Sequence, residues 1–365
     1  MRLQDVCTVF SDGDWIESKD QSDKGIRLVQ TGNIGEGLYL EKEERAKYVS
    51  EETFESLKCT EIYPGDILIS RLPEPVGRAC IIPPKKERMI TAVDCTICRV
   101  DESIVSKEYL CYFMRSNAYY TKLLGSVTGT TRKRISRKNL GNIELEIPPK
   151  EEQTDVVSQL ERLINVINSR NKELQLLDDI IKARFVEMFG DPRTNSKGFE
   201  TKNGSELFKI SNGKAVPNNK RFEEGIPAYG GNGISWYTDD ALCDKDTIVI
   251  GRVGFQSGNV HLVKGPVWIT DNAMYISDFY DDNLSLVFLC EMMEQIDFTK
   301  HQDAGDLKKV TQKPFMEMKY IIPSKELQSE YMDFVIQVNK SKVAVQKALD
   351  ETKLLFDSLM QQYFG

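Results

Sequence analysis

The stretch Ile147-Pro-Pro-Lys-Glu-Glu-Gln153 recurs later in the chain as Ile322-Pro-Ser-Lys-Glu-Leu-Gln328. Each copy opens a long segment that ends on a Phe-Gly pair, at Gly190 in the first copy and at Gly365 in the second. The two openings and the two closing glycines are both 175 residues apart, so neither segment carries an insertion relative to the other. A constant offset over this length indicates an internal duplication.

Both repeated segments are predicted to be helices. Proline lies just ahead of the first turn, where its missing N–H costs nothing, and Glu151 and Glu326 lie near the positive end of the helix dipole. Apolar residues then alternate at spacings of three and four, which places them on one face. Gly190 and Pro192 stop the first helix. At ~1.5 Å per residue each helix extends on the order of 60 Å, which favours a coiled coil over a hairpin inside one globule.

Residues 1–146 are predicted to form a strand-rich globular domain. Frequent turn signals separate short β-branched runs such as Ile67–Ser70 and Thr96–Val100, which is the pattern of short strands. A helix is predicted over Ser106–Leu124, and a final strand over Ile143–Ile147 is predicted to lead into the first long helix.

Residues 191–321 repeat this plan more loosely. Asp246–Arg252 resembles Asp66–Arg71, and Leu284–Met293 resembles the helix of the first domain, whereas Ile226–Ile234 has no obvious counterpart. The order is therefore globule, helix, globule, helix, in an α+β fold. The predicted boundaries are 1–146, 147–190, 191–321 and 322–365.

Composition limits the class of protein. No apolar run approaches the ~18 residues that span a bilayer, the start lacks a signal-peptide core, and we expect no membrane association. Eight cysteines without framework spacing predict reduced thiols and a cytoplasmic location. Cys95 and Cys98 form a lone CxxC, and the chain has only two histidines, so a structural zinc site is not expected.

The stretch Ser126–Lys138 holds five basic residues and no acidic one, and Lys308-Lys309 lies 175 residues after Lys133-Arg134. Cations and hydroxyls in such a loop are typical of contacts with DNA phosphates, although an ordinary solvated surface is the alternative. The candidate DNA contacts in this loop and in its repeat are Thr128, Thr130, Thr131, Arg132, Lys133, Arg134, Lys138, Lys308 and Lys309.

Four further residues are candidates for contacts with bases. Arg71 and Arg252 follow matching strands, where a guanidinium group can reach guanine O6 and N7; the alternative for each is an intradomain salt bridge. Asn232, between two glycines, carries an amide that can read adenine, or it is a turn residue that favours left-handed φ. Tyr229 either stacks on a base or packs in the core.

The net charge of −8 opposes a simple DNA-binding interpretation, because isolated DNA-binding domains are usually basic. Basic residues can be concentrated locally, or basic partner subunits can supply most of the affinity; we expect both.

The direction of helix pairing is also open. An antiparallel pair would relate the two halves by a pseudo-two-fold axis, which suits two half-sites separated by roughly 34–36 Å per turn of duplex; a parallel pair would not.

Taken together, these features resemble the specificity subunits of type I restriction–modification systems. The resemblance rests on the paired helix openings, the Phe-Gly ends, Gly129–Ile135, Tyr63–Ile69 and Ile226–Ile234, and it covers nearly the whole chain. It implies two target-recognition domains separated by two conserved helices that form an antiparallel coiled coil. It also implies a bipartite target in double-stranded DNA, with one part read by each domain.

The resemblance further implies partners. Two methyltransferase subunits would dock on the helices and modify adenine with S-adenosylmethionine, and up to two restriction–motor subunits, which use ATP and Mg²⁺, would join them. No cofactor is expected on this chain, and it is not expected to be an enzyme, because it has no Asn/Asp-Pro-Pro-aromatic, GxGxxG or Walker A motif. The alternatives left open are a protein-binding coiled-coil scaffold and, less favoured, a stand-alone nuclease or methyltransferase.

Overall fold

The computed structural model describes residues 1–127, 133–303, 305 and 308–365. The chain divides into two compact units: unit 1 contains residues 1–171 and 347–365, and unit 2 contains residues 172–346. The described helices are α1 Glu51–Ser56, α2 Lys107–Phe113, α3 Asn117–Leu124, α4 Arg137–Gly141, α5 Lys150–Phe189, α6 Gly204–Leu207, α7 Leu286–Ile296, α8 Lys313–Glu317 and α9 Lys325–Phe364. No described helix is both long enough and apolar enough to cross a lipid bilayer.

Each unit also contains short strands. In unit 1 they are β1 Cys7–Asp12, β2 Ile26–Val29, β3 Tyr48–Val49, β4 Glu61–Ile62, β5 Ile67–Ser70, β6 Ala79–Ile81, β7 Met89–Thr91 and β8 Cys95–Val100. In unit 2 they are β9 Glu200–Asn203, β10 Phe208–Asn212, β11 Ile226–Gly230, β12 Gly233–Thr238, β13 Thr247–Gly251, β14 Val260–Val263, β15 Trp268–Ile269, β16 Ala273–Phe279 and β17 Lys319–Ile322.

The two units use the same strand order. The main sheet of unit 1 is β1-β8-β5-β6, and that of unit 2 is β10-β16-β13-β14, with every neighbouring pair antiparallel. The second sheet is β3-β2-β7-β4 in unit 1 and β12-β11-β15 in unit 2. Strands β5 and β13 are buried along their whole length, which accounts for their nearly continuous apolar sequences, Ile67–Ser70 and Thr247–Gly251.

The stretch Ile226–Ile234 does have a counterpart, contrary to the prediction. Its strand β11 pairs parallel with β15 and antiparallel with β12, and β2 pairs in the same way with β7 and β3. Gly25 and Gly225, just before β2 and β11, have φ of +132° and +129°. A Cβ would lie 2.4 Å from the Val49 carbonyl oxygen at Gly25, and 2.8 Å from that of Thr238 at Gly225. These first segments are therefore related by an offset of 200 residues, whereas the long helices are related by 175.

The repeated helix openings are built around a buried glutamine. In unit 1, Nε2 of Gln153 donates to the carbonyls of Pro148 at 2.9 Å and Ile104 at 3.2 Å, and its Oε1 accepts from Ser106 N–H at 2.8 Å. Ser106 is itself the N-cap of α2. The side chain of Gln153 thus ties the start of α5 to the start of α2.

Gln328 repeats this arrangement in unit 2. Its Nε2 donates to the carbonyls of Pro323 at 2.8 Å and Asn283 at 2.7 Å, and its Oε1 accepts from Ser285 N–H at 2.9 Å. Ser285 is the N-cap of α7. The glutamine that ends each repeated motif therefore has a structural role, which accounts for its recurrence in the sequence.

The Phe-Gly ends also have a structural role. Gly190 and Gly365 adopt φ of +74° and +88°, and their N–H groups donate to the fourth preceding carbonyl at 2.8 and 2.9 Å, as in a glycine helix cap. Phe189 packs against Phe288 in unit 2 with ring centroids 4.9 Å apart. Phe364 packs against Tyr109 in unit 1 with centroids 5.1 Å apart.

The two long helices pair antiparallel, as the resemblance implies. Within unit 2, Asp178 of α5 accepts from Lys342 of α9, and Glu330 of α9 accepts from Arg184 of α5 at 2.7 Å, so positions rise along one helix as they fall along the other. Within unit 1, Tyr363 of α9 contacts Gln159 of α5 through a hydrogen bond of 2.9 Å. The prediction of an antiparallel coiled coil is confirmed.

Two predicted elements of unit 1 differ from the structure. The helix predicted over Ser106–Leu124 is two helices, because the hydroxyl of Ser116 accepts from Tyr119 N–H at 3.2 Å and caps the start of α3. The strand predicted over Ile143–Ile147 is a single bridge between Glu144 and Arg2. Its repeat, β17, does form a strand with β9.

Candidate nucleic-acid interface

Each unit presents an eight-residue hairpin loop of the same construction. Arg71–Arg78 joins β5 to β6, and Arg252–Asn259 joins β13 to β14. Gly77 N–H donates to Ser70 O, and Gly258 N–H donates to Gly251 O, both at 2.8 Å. Gly77 and Gly258 both adopt positive φ, at +88° and +95°. We call these the β5–β6 loop and the β13–β14 loop; aligning them places Arg71 with Arg252.

The repeated basic segment lies against this loop in both units. Ile135 N–H donates to Arg71 O at 3.3 Å in unit 1, and Val310 N–H donates to Arg252 O at 3.0 Å in unit 2. The structure thus brings together, in each unit, an arginine and a pair of basic residues that lie far apart in the sequence. Thr128, Thr130, Thr131 and Arg132 lie outside the described residues.

In unit 1 the arginine is internal. Arg71 is only 5% exposed; its Nε lies 3.4 Å from Asp12 Oδ1, and its Nη2 donates to the Val93 carbonyl. Burial lowers the pKa of Arg71, and the carboxylate of Asp12 opposes that shift. A buried, paired guanidinium group is the intradomain salt bridge that was the alternative for this residue. We therefore leave Arg71 out of the proposed DNA contacts.

Other cations of the unit 1 segment are also paired. Arg134 Nη2 lies 2.7 Å from Asp94 Oδ1, and Arg137 Nη1 lies 3.8 Å from Asp12 Oδ2. Lys133 and Lys138 are exposed, and no described carboxylate forms an ion pair with either. The exposed lysines are therefore the residues of this segment that remain available for phosphate.

In unit 2 the two carboxylates are replaced by amides. Asn212 ends β10 as Asp12 ends β1, and the next residues make the same bond: Gly13 N–H to Cys95 O at 2.9 Å and Gly213 N–H to Ala273 O at 3.0 Å. Asp94 and Asn272 correspond in the same way. The carbonyl of Asp94 accepts from Arg71 N–H and that of Asn272 accepts from Arg252 N–H, both at 2.9 Å.

The cations of unit 2 are correspondingly open. Arg252 is exposed, and its guanidinium contacts only the Asp271 carbonyl, at 3.4 Å. Lys309 is exposed and Lys308 is half-buried. Over the described ranges, none of these three cations forms an ion pair. Asn212 is engaged by a neutral partner, Gln312, whose Nε2 lies 3.3 Å from its Oδ1. The result is a groove in which Arg252, Lys309 and Lys313 face one described carboxylate, that of Asp303, and in which Arg252 and Lys309 form no ion pair with a described residue. Unit 1 has an ion cluster at this position.

The remaining two candidates lie near this surface. A Cβ at Gly231 would lie 3.0 Å from Gly251 Cα, so the exposed Asn232 lies in a turn beside the last residue of β13, next to Arg252. Tyr229 is partly buried and packs against the apolar cluster that contains Val249 and Ile269. Its side chain is therefore a packing residue, the second of the two interpretations given for it.

Sequence reasoning missed three residues of this surface. Asn212 and Asn272 carry no signal by themselves, since their importance lies in the carboxylates that they replace. Phe255, at the tip of the β13–β14 loop, is 88% exposed. Alignment of the two loops from Arg71 and Arg252 would have placed Phe255 opposite Glu74 and drawn attention to the difference.

Comparison with protein families gives a match over most of the chain. The family model for the type I restriction modification DNA specificity domain matches residues 1–178 and again residues 196–352. The chain is 22% identical over 245 residues to the MjaX specificity subunit of a type I restriction enzyme from Methanocaldococcus jannaschii, covering 61% of this chain and 56% of that relative. It is 28% identical over 102 residues to the EcoprrI specificity subunit of Escherichia coli, covering 28% of this chain and 25% of the relative. The chain thus spans little more than half of the first relative.

Two solved structures share the fold over the whole length. The S subunit of a type I restriction–modification system from M. genitalium gives a TM-score of 0.58 at 15% identity, covering 100% of this chain and 95% of that one. A chain from a study of assembly and conformational transition of the type I R-M system gives 0.61 at 16% identity, covering 100% and 96%. At these identities the similarity shows the fold and nothing finer.

Proposed function

Because this chain belongs to the type I restriction–modification DNA specificity family, we propose that it recognises double-stranded DNA for such a complex and is not itself an enzyme. The target is bipartite, with one part read by each unit. The observation that carries this proposal is the repeated site. Both units place a basic segment against the same hairpin loop, although these loops differ in nearly every side chain.

The charges fit contacts to phosphate better than contacts to another protein. Lysines on an irregular segment beside a rigid loop neutralise phosphates without reading sequence, whereas loop side chains reach base edges. We propose Lys133 and Lys138 in unit 1, and Lys308 and Lys309 in unit 2, as phosphate contacts. Arg134 joins them once DNA competes for its ion pair with Asp94. Thr128, Thr130, Thr131 and Arg132 stay proposals of the sequence.

Arg252 and Asn232 are proposed as base contacts in unit 2. Both are exposed and lie on neighbouring turns at one end of β13. A guanidinium group pairs with guanine O6 and N7, and an amide pairs with adenine N6 and N7. The acidic net charge is compatible with these contacts because the cations are concentrated on the loops and because partner subunits are proposed to supply the rest of the affinity.

The long helices are proposed to dock two methyltransferase subunits, with restriction subunits joining the complex. Apolar side chains stay open along both helices: Leu176 is 50% and Ile180 45% exposed on α5, and Val343 is 70% and Leu354 69% exposed on α9. Exposed apolar patches of this kind mark protein interfaces. S-adenosylmethionine, ATP and Mg²⁺ would be bound by the partners, in the cytoplasm.

The test uses the full complex with its methyltransferase subunits. Lys133→Ala with Lys138→Ala, and Lys308→Ala with Lys309→Ala, should each weaken DNA binding and lower the salt slope by roughly 1 to 2. Lys264→Ala is the control, because Lys264 is exposed just beyond the end of β14 that is distant from the β13–β14 loop. An unchanged slope in both double variants would contradict the phosphate contacts, and no DNA binding by the complex would favour a protein-binding scaffold.

A further inference from the structure

Phe255 lies at the tip of the β13–β14 loop and is 88% exposed, more than any other large apolar side chain in the described part of the chain. A fully hydrated phenyl ring loses the apolar burial that it would gain in a core or at an interface. An aromatic ring at a loop tip can gain this burial from a binding partner. The proposed function supplies one, since the loop lies beside the proposed DNA contacts of unit 2.

Hydrogen bonds brace the loop backbone that carries this ring. The side chain of Gln302 donates through Nε2 to the carbonyls of Phe255 at 3.2 Å and Ser257 at 2.7 Å. Gly254 N–H donates to Lys308 O at 2.8 Å. A Cβ at Gly258 would lie 2.7 Å from the Phe298 carbonyl carbon, so the base of the loop tolerates only glycine there. A side chain presented on such a braced loop costs little further ordering on binding.

The charges around Phe255 identify the kind of partner. Arg252 lies three residues before it, and Lys308 and Lys309 lie on the adjoining segment, all without an ion pair within the described residues. Asp303, whose N–H donates to Lys309 O at 2.9 Å, is the described carboxylate of this groove, so the cations outnumber it. Trp15 provides a contrast in unit 1: it is 68% exposed, but its neighbours Glu17 and Lys19 form an ion pair at 2.9 Å, which leaves no surplus of positive charge. An aromatic residue among surplus cations can approach a polyanion, because the cations attract it.

We propose that Phe255 contacts a base of the half-site bound by unit 2 directly, through its apolar ring. This inference rests on the proposed DNA-binding function. Phenylalanine contacts DNA bases in two known ways: against the methyl group of thymine in the major groove, or as a wedge between base steps. In unit 1 the same loop position carries Glu74, whose carboxylate accepts from cytosine N4 but makes no apolar contact.

The experiment compares Phe255→Ala, Phe255→Leu and the matched-loop control Glu74→Ala in the complete complex with the methyltransferase subunits. Phe255→Ala should weaken specific binding roughly 10-fold or more with an unchanged salt slope, because no phosphate contact is removed. It should also relax base preference at a position of the unit 2 half-site only. Phe255→Leu should keep much of the affinity, since it keeps apolar contact area.

Modified DNA separates the two kinds of contact. Deoxyuridine in place of thymine should remove the effect of Phe255→Ala if the methyl group is the contact. A 2-aminopurine probe should brighten only with the wild-type ring if the contact is a wedge. Either result supports the proposal.

The proposal would be overturned if Phe255→Ala left affinity and base preference unchanged while Lys308→Ala with Lys309→Ala still weakened binding. The proposed function would then stand. No effect of any unit 2 variant would contradict both.

Discussion

The β5–β6 loop and the β13–β14 loop have the same length and close with the same backbone hydrogen bond, but they differ in electrostatic character. In unit 1, Arg71 is buried against Asp12, and Arg134 pairs with Asp94. In unit 2, the amides Asn212 and Asn272 take the places of these carboxylates, and Arg252 and Lys309 are exposed without an ion pair in the described structure. The two amides thus lack the charge with which the arginines of unit 1 pair, and the described cations Arg252 and Lys309 of unit 2 lie exposed without an ion pair.

This difference shows how a duplicated scaffold acquires two unlike sites. Both units keep the strand order of the main sheet, the glycine near the end of the loop (Gly77 and Gly258) and the buried glutamine (Gln153 and Gln328), because these features stabilise the fold. An Asp-to-Asn exchange leaves side-chain size nearly unchanged and removes one charge. Where the facing arginine is exposed, as Arg252 is, it alters the surface without disturbing the sheet.

Removing the carboxylate from the unit 1 cluster has the largest expected effect. Asp12→Asn leaves the guanidinium of Arg71 buried without its partner, which should lower the stability of unit 1 by ~3 kcal/mol. Hydrogen exchange of the β1 and β8 amides during urea titration measures this loss. The reverse change in unit 2, Asn212→Asp, should alter stability by less than about 1 kcal/mol, because Arg252 is exposed. Equal effects of the two variants on stability would contradict the burial of Arg71 against Asp12 and the exposure of Arg252.

The buried glutamines at the starts of the two long helices, Gln153 and Gln328, should contribute equally to the stability of their units. Gln153→Ala and Gln328→Ala each remove a buried side chain with three hydrogen bonds and leave buried backbone groups unpaired. We expect each to destabilise its own unit by ~2 kcal/mol. Unfolding monitored by hydrogen exchange of α2 and α7 measures the two losses separately. A large loss of stability in one unit and none in the other would show that the two glutamines make the same hydrogen bonds but do not stabilise their units equally.

Placing carboxylates in the unit 2 site should make it resemble unit 1. Asn212→Asp with Asn272→Asp should draw Arg252 and Lys309 into ion pairs and add repulsion to phosphate. We expect DNA affinity to fall about 10-fold at low salt, with a smaller difference at high salt. Asn218→Asp with Asn219→Asp, at exposed positions of the same unit, is the charge-matched control. An equal loss in the control would show that net charge alone is responsible.

A pH effect confined to unit 2 is the smallest. Desolvation of the Glu294 carboxyl, followed by the nearby Glu291, raises its pKa to about 7, while Lys342 and Lys182 oppose the shift and Asp178 adds to it. The residue keeps contact with solvent, which screens these charges and makes the effect on stability small. A raised carboxyl pKa means that its stabilisation is present at low pH and is lost as pH rises through about 7. Unit 2 should therefore unfold at a lower temperature at pH 8 than at pH 6, and Glu294→Gln should reduce that difference. A difference unchanged by Glu294→Gln would assign it to other groups.

The sequence was sufficient to locate the two long helices and insufficient to align the first parts of the two globular domains. The 175-residue offset located α5 and α9 and the equivalence of Lys133 with Lys308, because no insertion separates the copies there. At the start of the two domains, including β2 and β11, equivalent residues are 200 positions apart. A search at the 175-residue offset therefore finds no counterpart for Ile226–Ile234. The break at Ser116 was missed because a serine inside an apolar periodic run is also compatible with a continuous helix.

The electrostatic difference between the sites depends on contacts that are distant in sequence. Asp12 and Arg71 are each unremarkable alone, and only the β1-β8-β5 order brings them together. The exposure of Phe255 was missed for a related reason, since an apolar residue in a glycine-flanked turn gives no sign of which neighbours cover it. The candidate residues of the basic segment were predictable because positive charge clustered in one stretch is visible without a structure.

The most direct test is the methylated-adenine pattern of DNA modified by the complete complex, with the wild-type chain and with Phe255→Ala or Lys308→Ala with Lys309→Ala. We predict a motif of two specific parts separated by a non-specific spacer, in which the unit 2 variants change one part and leave the other intact. A single continuous motif, or variants of one unit that alter both parts equally, would contradict the account of two independent reading sites in one chain.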